Sequence, residues 1–184
     1  MESLLNDTQK KKLLEIARAT LETYIRKGEM PELKVDDAVL NKELGAFVTL
    51  YKNGQLRGCI GNIIGRGPLG ATIKNMAVAA STKDPRFPRV TEDELNDIDI
   101  EISVLSPMQK IDDPSTIIMG KHGVIVKSGF DSGVFLPQVA TETGWDRETF
   151  MNNLCAHKAG LPADAWKTGK CEISVFTAKV FKEK

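Results

Sequence analysis

Apolar and polar residues alternate most clearly in the segment that surrounds Asn53-Gly54. Two short runs that are rich in β-branched and aromatic residues, 46–51 and 56–64, flank this dipeptide. Asn-Gly favours the positive φ angles of a type I′ turn, whose twist matches that of the adjoining strands. The pattern therefore predicts a β-hairpin in which Lys52 lies opposite Gln55.

Apolar residues recur every three or four positions in three other segments, which is the helical period. A first helix is expected to begin at Asp7 or Thr8, as N-cap residue, and to end near Gly28. A second helix is predicted over residues 69–81, and Asp146 is placed to cap a third. Thr91 and Glu94 fit a capping box for a short helix.

Strand signals account for much of the remaining chain. Strict alternation over residues 98–104 predicts a half-buried strand, and a second hairpin is expected with its turn at 131–133. A last strand is predicted over 173–181. Hairpins mixed with unevenly spaced helices favour an α+β fold, with a mixed or antiparallel sheet and flanking helices.

Composition limits the classes of partner. The chain has 184 residues, 41% of them hydrophobic, with 25 basic and 25 acidic side chains. This balance lacks the basic surface of a dedicated nucleic-acid binder, and no apolar run approaches the roughly 20 residues of a membrane helix. The amino-terminal stretch has no basic-then-apolar signal design. We therefore expect a cytoplasmic protein that binds neither nucleic acid nor membrane.

Three cysteines, Cys59, Cys155 and Cys171, are odd in number and far apart in the sequence. They do not form a disulfide framework, so free thiols are expected. Together with only two histidines they show no metal-ligand spacing, and the sequence predicts neither a metal site nor a cofactor.

The segment 57–61, Arg-Gly-Cys-Ile-Gly, is unusual for a strand. An uninterrupted ladder from the Asn-Gly turn places Arg57 and Cys59 side by side on one face, and Gly58 and Gly61 indicate a bulge or the close approach of another group. That face also carries two smaller apolar residues, whereas the larger apolar set predicts the core on the other face. The smaller pair is Val48 and Leu50, and the larger set is Phe47, Tyr51, Leu56 and Ile60.

Cys59 has two interpretations. A cation beside a thiol favours the nucleophilic thiolate, which makes Cys59 a candidate nucleophile and Arg57 its activating or anion-binding partner. A free cysteine is also among the most buried residue types and often packs as a small hydrophobe. The sequence leaves both open.

Three polar residues outside the hairpin are further candidates for ligand binding. Asp84 and Arg86 lie in a segment that two prolines exclude from regular structure, where they form either a binding pair or a structural turn. Gln138 follows Pro137 and either orients a ligand or fixes its loop.

Several motifs in order resemble the AMMECR-one domain family, whose prokaryotic members are called AmmeMemoRadiSam system protein A. The motifs are LRGCIG, DPRFP, EISVLSP, HGVIV and FLPQ, and the resemblance extends from about Gly45 to Trp166. It implies that residues 1–184 form a single domain of this type, with a larger lobe that holds both termini and a smaller lobe. It also implies that LRGCIG lies near the junction of the lobes.

The family name implies association with a Memo-like protein and a radical-SAM protein, but it supplies no reaction. One hypothesis is therefore an accessory or binding protein that acts with these partners through a cleft at LRGCIG and takes a small anionic ligand. The alternative is a thiol-dependent enzyme in which Cys59 is the nucleophile and Arg57 binds an anionic substrate. Arg57, Gly58, Gly61, Asp84, Arg86 and Gln138 are the candidate ligand-binding residues.

Overall fold

The computed structural model describes residues 4–184, so the first three residues of the stretch examined for a targeting signal lie outside it. The chain divides into two compact units. The first unit is Met1–Leu105 with Lys179–Lys184, and the second unit is Ser106–Ala178. In residues 4–184, no helix is both long enough and apolar enough to cross a membrane.

The helices and strands follow one another without a regular βαβ alternation. The α-helices are α1 (Asp7–Lys27), α2 (Leu69–Thr82), α3 (Pro137–Thr143) and α4 (Arg147–Asn153), and a π-helical turn (Leu154–Ala159) continues α4. The strands are β1 (Ala46–Lys52), β2 (Gln55–Asn62), β3 (Ile98–Leu105), β4 (Gln109–Ile111), β5 (Gly123–Ser128), β6 (Asp131–Phe135), β7 (Glu172–Phe176) and β8 (Ala178–Lys182). Two short 3₁₀ helices span Glu92–Asp97 and Pro114–Thr116.

The strands form two four-stranded sheets. One has the order β2-β1-β3-β8 and the other β4-β7-β5-β6, and the strand pairs resolved within them are antiparallel. In the first unit, α1 and α2 cover the face of the sheet that carries the buried residues of β1 and β3. In the second unit, the core lies between the sheet and the α4 segment with its π-helical turn.

The first helix begins one residue earlier than predicted, because Asn6 is its N-cap. The Asn6 side chain accepts the Gln9 N–H at 2.8 Å, and the Gln9 side chain accepts the Asn6 N–H at 2.9 Å. This reciprocal pair is a capping box, which satisfies two amides that a helix start leaves unpaired. Asp7 therefore lies in the first turn, where its negative charge suits the helix dipole. Gly28 ends the helix with φ of 71°, as expected.

Two predictions for the second unit and the carboxyl-terminal part are wrong. The turn of the second hairpin is Gly129-Phe130, not residues 131–133, because Gly133 pairs with Val126 inside β6. The last strand is two strands, β7 and β8, which break at Thr177 and belong to different sheets. Strand β4 and helix α3 were not predicted.

Strand β8 returns the chain to the first unit, where Glu183 fixes its end. Glu183 accepts a hydrogen bond from Arg18 Nε on α1 at 2.9 Å and from the Ile100 N–H at 3.0 Å. Arg18 also donates to the Leu95 carbonyl at 3.1 Å. The helix, the sheet and the carboxyl-terminal segment therefore share one network of hydrogen bonds.

Helix α2 contacts strand β2 at Gly58. A Cβ at this position would lie 2.2 Å from the Ala80 carbonyl oxygen, far inside van der Waals contact. Because the obstacle is backbone, relief requires α2 and β2 to move apart. Glycine at position 58 is thus a condition for packing the helix on the sheet.

We predict that Gly58→Ala lowers the free energy of unfolding by about 2 kcal/mol or more, through overpacking against Ala80. Urea denaturation at neutral pH measures this. Gly70→Ala is the matched control, since the three atoms nearest to its Cβ would belong to side chains, the closest being Leu33 Cδ2 at 3.3 Å, and alanine is the better helix former. The control should be unchanged or more stable by up to about 1 kcal/mol. Equal stability of Gly58→Ala and the native chain would contradict this account of the contact.

Candidate functional site

The ladder between β1 and β2 contains a bulge, which changes the predicted pairing. Tyr51 lies opposite Leu56 but Leu50 lies opposite Gly58, so Arg57 is the extra residue in β2. Cys59 therefore faces Thr49, where the uninterrupted ladder had placed it opposite Val48. The glycine pattern had indicated a bulge, but the predicted register beyond it is wrong by one residue.

The core face of the hairpin is also the opposite of the one predicted. Val48 and Leu50 are fully buried, and they pair with the buried Ile102 and Ile100 of β3. Ile60 pairs with Val48 and packs on this core as expected, whereas Phe47 is only partly buried. The size of the apolar residues on each face therefore did not predict which face of the hairpin is buried. The neighbouring strand β3 is the better predictor, because its regular alternation of apolar and polar residues identifies the buried side.

Arg57 is held by the protein itself. It forms a bidentate ion pair with Glu94, with Nε–Oε1 at 3.0 Å and Nη2–Oε2 at 2.9 Å. Its Nη1 donates to the Pro88 carbonyl at 2.9 Å and its Nη2 to the Arg89 carbonyl at 3.4 Å. The side chains of Arg57 and Glu94 are only 12% and 11% exposed. Arg57 thus fastens the loop of residues 88–89 to the hairpin.

Arg57 and the Cys59 thiol do not share a face, so that prediction is wrong. Arg57 binds the same carboxylate as Lys52, whose Nζ lies 3.0 Å from Glu94 Oε1. Strand alternation places Lys52 on the side of Leu50, and the register places Cys59 on the side of Thr49. The bulge at Arg57 causes the difference, since one added residue reverses the side of every later residue.

Glu94 has two structural roles. Its carboxylate accepts the Thr91 N–H at 3.0 Å, which completes the predicted capping box of the 3₁₀ helix. The same carboxylate binds Arg57 and Lys52. The Arg57 guanidinium, the Thr91 amide and the Lys52 ammonium together outweigh burial and lower the pKa of Glu94 to about 2. Sequence reasoning found the cap but missed the ion pairs, because they depend on the tertiary position of the helix.

The cation near Cys59 is Arg86. Buried Asp84 accepts the Cys59 N–H at 2.9 Å, and it also binds Arg86 Nε at 3.0 Å and Nη2 at 2.8 Å. The Arg86 guanidinium holds the pKa of the Asp84 carboxyl well below its usual range. Asp84 raises the pKa of Arg86, and the Cys59 thiol adds a smaller contribution in the same direction, which reflects their proximity. Asp84 thus connects the LRGCIG motif, through the Cys59 backbone, to Arg86 of the DPRFP motif.

Residue Cys59 is partly exposed. The Thr49 hydroxyl donates a hydrogen bond to Cys59 Sγ at 3.1 Å from the paired position on β1. Thr49 was not among the predicted site residues, since the incorrect register had put Val48 in its place.

The two glycines of the motif are explained by contacts within the chain. Gly58 admits the Ala80 carbonyl, and a Cβ on Gly61 would lie 2.3 Å from Cγ of the Phe47 ring. The close approach that glycine in a strand indicates is therefore made by α2 and by Phe47.

The first unit thus brings Cys59, Asp84 and Arg86 together and turns Arg57 to the other face of the hairpin. Gln138 belongs to the second unit, where it is an exposed residue in the first turn of α3. Among residues 4–184, no group of three or more His, Cys, Asp or Glu side chains is arranged to hold a metal ion.

Comparison with known proteins defines the class of this protein. The AMMECR1 family model matches residues 14–181, and the chain therefore belongs to that family, the AMMECR-one family that its motifs indicated. The α+β fold is confirmed by a solved relative, an uncharacterized protein from Pyrococcus horikoshii. Its crystal structure matches with a TM-score of 0.86 and 36% identity, over 99% of this chain and 95% of that one.

Two further relatives come from methanogenic archaea. The chain is 41% identical over 190 residues to a protein of Methanosarcina barkeri, covering 98% of this chain and 93% of that protein. It is 43% identical over 178 residues to a protein of Methanothermobacter thermautotrophicus, covering 93% and 92%. These similarities establish the family and the fold, and they assign no reaction.

We predict that Glu94→Gln lowers the free energy of unfolding at neutral pH by about 2–3 kcal/mol, because it leaves the guanidinium of Arg57 buried without its counter-charge. The carboxyl pKa falls from 4.5 in the unfolded chain to about 2 in the folded one. Its contribution is therefore complete above about pH 4.5 and is lost as the pH falls toward 2.

Urea denaturation of both proteins between pH 7 and pH 3 checks this. The difference in unfolding free energy should shrink steadily below about pH 4.5. Asp84 is present in both proteins, so its contribution to the pH dependence cancels in the difference between the two unfolding free energies. A difference that stays constant over this range would show that the charge of Glu94 is not what stabilises the fold.

Proposed function

We propose that this protein is an accessory binding protein that acts with Memo-like and radical-SAM partners through the Arg86 patch. We define the Arg86 patch as Cys59, Arg86 and Phe87 of the first unit. The observation that carries this proposal is the state of Arg86. Its guanidinium is fixed by a buried carboxylate, yet its side chain is 55% exposed.

Because the Arg86 guanidinium is exposed and held in one orientation, it is suited to recognise a carboxylate or a phosphate. Arg86 Nε and Nη2 each donate a hydrogen bond to Asp84. Arg86 Nη1 has no hydrogen bond within the described part of the chain. The guanidinium also lies over the Phe87 ring, 5.5 Å from its centroid, which further limits its motion. A donor that is already ordered loses little side-chain entropy when it binds an anion.

The other motif residues support this patch. Arg57 and Gly58 hold the 88–89 loop and α2 against the hairpin, and Asp84 ties the Cys59 backbone to Arg86. The ligand contact thus belongs to Arg86 and its neighbours, and the anion-binding role considered for Arg57 moves to Arg86. The anion is either a small ligand or an acidic group on a partner.

We expect Arg86→Gln to weaken binding of the Memo-like or the radical-SAM protein about tenfold, through loss of a charge-assisted contact at the interface. Isothermal titration calorimetry with the purified partners measures this. Arg26→Gln is the matched control, since Arg26 is an exposed arginine of the same unit that pairs with Glu92 at 3.4 Å. The control should bind as the native chain does. Equal affinity of Arg86→Gln, or no binding of either partner by the native chain, would overturn the proposal.

A second candidate function is a thiol-dependent reaction at Cys59. The observation that favours it is that Cys59 is partly exposed, and that its thiol accepts a hydroxyl hydrogen bond from Thr49 and lies near Arg86. In this function Cys59 is the nucleophile and Arg86 binds the anionic part of the substrate. Within residues 4–184 the Cys59 thiol is hydrogen-bonded to the Thr49 hydroxyl and to no general base, so the geometry favours binding over catalysis.

If Cys59 is an activated nucleophile, iodoacetamide should alkylate it about tenfold faster than a free thiol of ordinary pKa at pH 7. Arg86→Gln should slow the reaction because it removes the neighbouring cation. Peptide mapping of intact labelled protein assigns the rates, and Cys59 of the urea-unfolded protein gives the reference rate of a free thiol. A Cys59 rate no greater than that of the free thiol would exclude this function. Partner affinity of Cys59→Ser separates the two functions, since binding through the Arg86 guanidinium survives loss of the thiol and a reaction of Cys59 does not.

A further inference from the structure

Two cysteines that are distant in the sequence meet in the core of the second unit. Cys155 is fully buried in the π-helical turn, and Cys171, just before β7, is partly buried against the same cluster. Because Cys171 packs against the cluster that contains Cys155 and each thiol changes the pKa of the other, the two side chains lie close together. They form a dithiol separate from Cys59 and from the Arg86 patch.

Cys171 connects this dithiol to a cavity of about 520 Å³. The charged residues in the cavity walls are Lys110, Asp112, Lys127, Lys170 and Glu172, with Trp166 beside them. Since Lys110 pairs with Glu172 at 2.7 Å, two lysines remain against one carboxylate. A space of this size accepts a small organic molecule, and this excess of positive charge favours one that carries carboxylates. Cys171 is therefore the thiol that an external reagent reaches first, since Cys155 is completely covered.

The π-helical turn holds Cys155 in place. The Cys155 carbonyl accepts the N–H of Gly160 and the N–H of Leu161, the latter at 2.9 Å, so it stays hydrogen-bonded at the helix end. π-Helical turns interrupt the regular α-helical ladder and frequently occur at functional positions. Here the turn places a sulfur atom against the segment that precedes β7.

We infer that Cys155 and Cys171 are a redox modification site, a pair that forms a disulfide by exchange with an anionic low-molecular-weight disulfide entering through this cavity. The ligand class is a small peptide-like disulfide with carboxylate groups. The site lies in the second unit and does not depend on the function proposed for the first.

The exchange proceeds in two steps in which atoms and electrons balance. The Cys171 thiolate attacks one sulfur of the reagent, forms a mixed disulfide and releases one reagent thiolate. Cys155 then loses its proton to water and attacks Cys171 Sγ, which releases the second reagent thiolate. The protein is oxidised by two electrons, and the reagent disulfide is reduced to two thiols.

The order of attack follows from access and is supported by the protonation of the two thiols. Burial raises the pKa of Cys171, and the neighbouring Cys155 thiol partly offsets this. Burial and Cys171 together raise the pKa of Cys155 to about 11. Cys171 thus supplies the first thiolate, and Cys155 acts only when the mixed disulfide lies beside it.

Oxidised glutathione is a suitable probe, used on the full chain carrying Cys59→Ser so that only the pair can react. We expect intact-mass spectrometry to show loss of two hydrogen atoms without a lasting glutathione adduct. Peptide mapping should recover Cys155 and Cys171 in one cross-linked product, and dithiothreitol should reverse the change. Two free thiols, or a glutathione adduct that persists at Cys171, would overturn the inference.

Two variants test the order of attack. In the same background, Cys155→Ala should accumulate one stable glutathione adduct at Cys171, because the resolving thiol is absent. Cys171→Ala should remain unmodified at Cys155 for as long as the protein is folded. Melting temperatures of both variants check that they fold, and the cross-linked peptide from the chain with both cysteines needs neither variant. Rapid adduct formation at Cys155 in folded Cys171→Ala would contradict the proposed route through the cavity.

Discussion

A carboxylate removed from water must recover the hydrogen bonds and positive charge that it loses, and two buried carboxylates impose this requirement on the first unit. Glu94 is satisfied by Arg57, Lys52 and the amide of Thr91. Asp84 is satisfied by Arg86 and the amide of Cys59. Each carboxylate connects the hairpin to the segment that follows α2, so the loop with its two prolines is fixed at both ends.

This arrangement gives the two arginines different surroundings, since Arg57 is buried and bound to the protein whereas Arg86 is exposed. The arginine within Arg-Gly-Cys-Ile-Gly has the appearance of an anion-binding residue, yet its donors bind Glu94 and two carbonyls. The arginine with an exposed guanidinium, Arg86, lies in the other motif, two residues after Asp84. A pair of motifs distant in the sequence therefore acts as one structural element, with Asp84 at its centre.

Local signals in the sequence predicted much of the fold. The Asn-Gly turn, the alternation of β3, the extent of α2 and the capping box of Thr91 each depend on a few neighbouring residues, and each agrees with the structure. The face of the hairpin on which Arg57 lies could not be predicted from the sequence. A single bulged residue determines it, and the same residues are compatible with more than one pairing register. The break at Thr177 was equally inaccessible, since both halves have strand composition and only the two sheets distinguish them.

The return of β8 to the first sheet has a consequence for biosynthesis. The ribosome releases the amino-terminal segment first, but Arg18 and Ile100 meet Glu183 only after every residue of the second unit has been translated. Until then the outer edge of β3 has no neighbour on that side, and an open strand edge is prone to join other chains. Nascent protein that stalls before residue 178 should therefore depend on chaperones more than the finished chain does.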